Sequence, residues 1–105
     1  MAEAENVTVR LPLNDKVFRD IVFPADIPRL DFFDRVCATM GLDRTTAELG
    51  WKSNDDLKRA RARTLRTNED VDEAFRVILK MKNNPRRQKE AYMEIIHLVS
   101  FGFRI

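Results

Sequence analysis

Apolar and polar positions alternate with a period of two near the start of this chain and again about its middle, two stretches repeat every three to four residues, and a dense apolar run lies near its end. Val7, Val9 and Leu11 alternate with Thr8 and Arg10, the pattern of a half-buried strand. Pro12 ends it and Asn14-Asp15 supplies turn chemistry. Val17 to Phe23 is a second β-branched and aromatic run, so the two segments predict a hairpin. Pro24 and Pro28 frame a connection into a helix for which Asp26 or Asp31 is the candidate cap, with Pro28 in the first turn if Asp26 serves. Phe33, Val36, Cys37 and Met40 make one apolar stripe, Gly41 is placed to stop the helix, and Leu42 to fold back on it.

Ala47, Leu49 and Trp51 alternate again and predict a third strand, followed by a polar loop from Lys52 to Arg59. Arg61 to Leu65 is a short, highly charged candidate for a fourth. Thr67 with Asp70 three residues on predicts an approximate capping box for a second helix, whose buried stripe is Val71, Ala74, Phe75, Ile78 and Leu79. Asn83-Asn84-Pro85 breaks it, and Tyr92 to Val99 is an apolar strand dense enough for the middle of a sheet. Phe32 does not fit the first helix's stripe; it is expected to pack at the helix flank or mark a contact patch.

Composition narrows the function classes. At 105 residues, 44% apolar and 34% charged, the chain is one globular domain with a modest core. Nineteen basic against seventeen acidic residues leave +2, which selects no partner by itself. A single cysteine, Cys37, excludes an internal disulfide and reads as a small core residue. No apolar run reaches the ~20 residues of a membrane helix, and Met-Ala-Glu-Ala-Glu lacks the regions of a signal peptide, so the expected location is intracellular, cytoplasmic or nuclear.

Catalytic chemistry is poorly represented. The only histidine, His97, stands among Ile95, Ile96, Leu98 and Val99, with no nucleophile or acid signalled beside it. Asp55-Asp56 and Glu69-Asp70 lack the His and Cys company of a transition-metal site and the spacing of a calcium loop. Three scattered glycines allow no phosphate-binding loop. The expectation is a protein without enzymatic activity or cofactor.

The order strand, strand, helix, strand, strand, helix, strand resembles the ubiquitin-like β-grasp, an α+β fold in which a mixed sheet packs on a helix and the last strand enters its middle. Within that superfamily residues 6 to 99 are most similar to a Phox/Bem-type interaction domain, leaving 1–5 as an N-terminal tail and 100–105 as an apolar C-terminal one. Three stretches carry the likeness: Val7-Thr-Val-Arg-Leu11, Leu49-Gly-Trp-Lys-Ser-Asn-Asp-Asp56 and Thr67-Asn-Glu-Asp-Val-Asp-Glu-Ala-Phe75. The likeness implies a module that binds another copy or a relative. Asp55, Asp56, Glu69, Asp70 and Asp72 would be its acidic face, and Arg10 with Lys16 its basic one. The acidic loop departs from the family's alternation of acids around a glycine and is followed by a basic run. A ubiquitin-type modifier is disfavoured, because no pair of glycines occurs.

Both charged sets also have simpler readings. The acids suit a solvated turn and a helix N-terminus. Arg59, Arg61 and Arg63 suit a charged strand edge that resists aggregation. With Lys58 and Arg66 they suit instead a positive stripe for nucleic-acid phosphates, the alternative function. Phe101, Phe103 and Ile105 are expected to extend the last strand, dock on the body or meet another chain.

Overall fold

The computed structural model describes residues 5–56 and 59–98. Five strands and two helices follow in the order β1 (Asn6–Pro12), β2 (Phe18–Pro24), α1 (Arg29–Met40), β3 (Leu49–Ser53), β4 (Arg63–Thr64), α2 (Asn68–Lys82) and β5 (Tyr92–His97). The strands form one mixed sheet in the order β2-β1-β5-β3-β4, with β1 and β5 parallel and the other neighbours antiparallel. This is a β-grasp-like topology with its last strand in the centre, as the element order predicts.

Turn and cap chemistry accounts for most element boundaries. The Asn14 side-chain oxygen accepts the N–H groups of Lys16 and Val17 at 2.8 and 3.0 Å, closing the β1–β2 turn. Gly41 stops α1 in the left-handed region at φ 71°, where a side chain would be strained, and Leu42 N–H returns to the Cys37 carbonyl at 2.8 Å. Thr67 and Asp70 form a complete reciprocal capping box on α2. The start of α1 corrects one expectation. Pro28 is the N-cap, neither Asp26 nor Asp31 caps through its side chain, and Phe32 N–H reaches the Pro28 carbonyl instead. Proline's fixed φ starts the helix without a side-chain acceptor.

Alternation divides the sheet into a covered and an open face. Val7, Val9, Leu11, Phe23, Met93, Ile95, Leu49 and Trp51 point to the helices and are buried, joined by Phe32, Phe33, Val36 and Cys37 of α1 and Val71, Ala74, Phe75 and Ile78 of α2. Phe32 is fully buried at the centre of this layer, with ring centroids 5.1, 5.7 and 5.3 Å from Phe23, Phe33 and Phe75. It is neither a flank residue nor a contact patch. The apolar stripe of α1 is wide because the helix is covered on two sides, by the sheet and by α2.

The other boundaries shift by small amounts. Lys52 and Ser53 belong to β3, and the fourth strand contracts to Arg63–Thr64. Of the stretch 1–5, residues 1–4 lie outside the described residues, and Glu5 is tied to the body, its carbonyl accepting Ala25 N–H and its carboxylate Asn83 Nδ2–H. Lys58, Val99 and the apolar stretch 100–105 lie outside the described residues. Among the described residues no helix is long and apolar enough to cross a membrane.

Candidate functional site

The open face of the sheet carries a row of alternating charge. Pairing sets Asp20 of β2 opposite Arg10 of β1, Arg10 opposite Glu94 of β5, and Glu94 opposite Lys52 of β3. Arg10 is held on four sides. Its Nε and Nη2 donate to the two Asp20 carboxylate oxygens at 2.9 and 3.1 Å, and its Nη1 donates to the Tyr92 hydroxyl at 2.9 Å. Its guanidinium carbon lies 3.9 Å from the Phe18 ring centroid and 4.1 Å from that of Tyr92. The Asp20 carboxylate holds the Arg10 pKa above its ordinary value. The arginine therefore stands as a fixed, partly covered cation between two aromatic rings.

Near it stand exposed apolar side chains that periodicity did not flag. Six large apolar side chains are left exposed among the described residues, and four of them, Leu13, Val17, Phe18 and Val22, belong to the β1–β2 hairpin. Phe18 and Val22 are 53% and 58% exposed, and they flank Asp20 on the open face of an edge strand. Their alternation in sequence looks like that of any half-buried strand. Which half is buried depends on the pairing.

The predicted acidic residues are occupied separately. Asp55 takes a bidentate pair from Arg87, with Nη1–Oδ2 at 2.7 Å and Nη2–Oδ1 at 3.0 Å, and Lys89 adds a longer contact at 3.8 Å. Arg87 holds the Asp55 pKa below its ordinary value. Asp56 accepts the N–H of Ser53 within its own turn. Asp70 accepts from Arg66 N–H at 2.9 Å and Thr67 N–H at 3.2 Å, and these bonds depress its pKa, that from Arg66 most. Asp72 pairs with Arg29 at the start of α1 at 2.7 Å. Glu69 is exposed and makes no ion pair among the described residues. Four of the five acids thus each have a hydrogen-bond or ion-pair partner within the chain.

On the basic side, Lys16 stands exposed in the β1–β2 turn. Arg59, Arg61, Arg63 and Arg66 occupy the connection around β4, at the opposite edge of the sheet. None of these four makes an ion pair with a described carboxylate, whereas Arg10, Arg29, Arg44, Arg76 and Arg87 all do. Arg63 lies 4.7 Å over the ring of Trp51, which is only 1% exposed. Among the described residues no group of three or more His, Cys, Asp or Glu is placed to hold a metal ion.

Comparison of the chain with models of known families, with curated proteins and with solved structures finds no match in any of the three. The fold is that of a small α+β domain on a mixed five-stranded sheet, with exposed apolar residues at the β2 edge and arginines at the β4 edge.

Proposed function

We propose that this chain is a non-catalytic protein–protein interaction domain that presents its β1–β2 hairpin and the adjoining open sheet face, with Arg10 and Lys16 as the basic positions. The clustering of Leu13, Val17, Phe18 and Val22 on one edge hairpin carries the reading. A chain that folds alone gains nothing by gathering its exposed apolar groups on an unpaired edge, where they invite association.

The proposal keeps the basic side of a Phox/Bem-type scheme and gives less weight to the acidic side. A partner's arginine would have to displace Arg87 from Asp55 or Arg29 from Asp72, and at Asp70 it would compete with the bonds that cap α2. An arginine already bonded to Asp20 and lying over two aromatic rings has less side-chain freedom to lose on binding, which suits Arg10 to recognition.

Capture of interacting proteins on the immobilised domain tests the reading. The hairpin variant Phe18→Ser/Val22→Ser, with the wild-type circular dichroism spectrum, is expected to retain less than a tenth of the bound protein. Arg59→Ala/Arg61→Ala/Arg63→Ala is expected to retain it, with or without nuclease. Capture indifferent to the hairpin and abolished by nuclease would overturn the proposal.

A second reading, nucleic-acid binding, has one observation in its favour: the four arginines around β4 lack carboxylate partners among the described residues. Unpaired guanidinium groups along an edge suit a phosphate backbone. The buried Trp51 offers no face for base stacking, so this reading is confined to backbone contacts.

A further inference from the structure

We infer that the partner of the hairpin is a second copy of this chain, joined by antiparallel pairing of β2 with β2 about a two-fold axis at Asp20; this rests on the hairpin being the interaction surface. Hydrogen-bond parity along the hairpin sets which residues face the edge. Leu13 N–H donates to the Val17 carbonyl at 2.9 Å and Ala25 N–H to the Glu5 carbonyl at 2.8 Å, both in the register of the hairpin. Bonded and non-bonded pairs alternate along an antiparallel ladder. Arg19, Ile21 and Phe23 therefore turn their backbone polar groups toward β1. Phe18, Asp20 and Val22 turn theirs outward, with no strand beyond them among the described residues. Pro24 has the outward parity too, so its missing N–H costs the β1–β2 ladder nothing.

A two-fold axis perpendicular to the sheet keeps each face on its own side, so only residues of like parity can oppose each other. Centred on Asp20, it sets Phe18 of each copy against Val22 of the other and pairs every outward N–H and C=O of Phe18, Asp20 and Val22. Centred on Ile21, it would oppose Phe18 to Pro24, which has no donor. Centred on Arg19, it would oppose Phe18 to Asp20. Only the Asp20 register matches the two exposed apolar residues to each other.

Charge fits the same register. The two Asp20 carboxylates meet at the axis, each already neutralised by the bidentate Arg10 of its own chain. Lys16 and Asp26 stand in the turns at the two ends of β2, ends that the two-fold brings toward each other, and neither has an ion pair among the described residues. The opposing cost is one diagonal pair of Arg19 side chains on the other face, exposed and screened by water.

The dimer is closed, since the two-fold uses up both edges of its own interface. Sedimentation equilibrium over rising concentration is expected to show mass climbing from 12.3 kDa toward twice that value. Val22→Lys should weaken the dimer at least tenfold. Arg10→Ala should weaken it similarly by exposing the Asp20 charges to each other, and adding Asp20→Asn should restore it. In Asp20→Cys the two thiol-bearing residues would stand at the axis with Cα atoms about 5.5 Å apart, inside the roughly 4.4–6.8 Å range of disulfides, and oxidation should trap a covalent dimer. Val22→Cys, whose copies stand out of register, should not be trapped, and the native Cys37 is buried. A monomer at every concentration, or a dimer indifferent to Val22→Lys and untrapped by Asp20→Cys, overturns the second-copy inference. If the monomer still captures another protein through Phe18 and Val22, the interaction reading stands; if it captures none, both fall.

Discussion

The carboxylate of Asp70 accepts backbone hydrogen bonds from Arg66 and Thr67, while its own N–H donates to the Thr67 hydroxyl at 3.1 Å. These bonds favour the ionised form and hold its pKa below the ordinary carboxylate value, the Arg66 bond foremost. A carboxyl with a depressed folded pKa stabilises the native state above its unfolded pKa, near 3.9, and loses that contribution as the pH falls through the folded value. Asp70→Ala is therefore expected to cost about 1 kcal/mol at neutral pH. The difference from wild type should shrink in acid, as measured by urea unfolding at both pH values; an equal loss at each would refute the assignment. The Thr67–Asp70 box was legible in the sequence because its partners are three residues apart. The partners of Asp55 and Asp72 were not, since Arg87 and Arg29 lie 32 and 43 residues away. Gly50 was equally silent: an added Cβ there would lie 3.0 Å from the Arg63 carbonyl oxygen, a crowding that exists only once β4 pairs with β3.

At the scale of elements, β2 is the case that periodicity could not resolve. Its burial is low nearly throughout, with Phe23 the only fully buried member. Its run of Phe, Ile, Val and Phe nevertheless reads like that of an interior strand. Its free edge predicts an alternating pattern of amide hydrogen exchange in dilute solution. Arg19, Ile21 and Phe23 should be protected by β1, and Asp20 and Val22 should exchange quickly. Uniform protection along β2 in the monomer would contradict the edge assignment. The helices divide in the same way: the capped start of α2 was written locally, whereas α1 begins on Pro28 with no side-chain cap and buries Phe32 because α2 covers its second side.

For the whole molecule, net charge conceals an asymmetry of edges. Arg59, Arg61, Arg63 and Arg66 lie toward the β4 edge without ion pairs among the described residues, while the β2 edge is apolar around a neutralised Arg10–Asp20 pair. If the basic edge binds a polyanion, affinity for a single-stranded oligonucleotide should fall linearly on a log–log plot against salt. Charge reversal at Arg59, Arg61 and Arg63 should then abolish it. Under the interaction reading, fluorescence anisotropy is expected to show no such binding at physiological salt, and hairpin variants should leave the titration unchanged.

What the sequence determined by itself was the order, type and approximate extent of the elements, the α2 cap and the Gly41 stop. Each of these is written in local periodicity or in cap and turn residues a few positions apart. The tertiary structure alone decided that Phe32 is core, that Asp55 and Asp72 are tied to arginines far along the chain, and that Phe18 and Val22 remain exposed on the outermost of the described strands. Those outcomes depend on which strands become neighbours and which face the helices cover. Pairing over long separations sets that, and no short stretch of residues contains it.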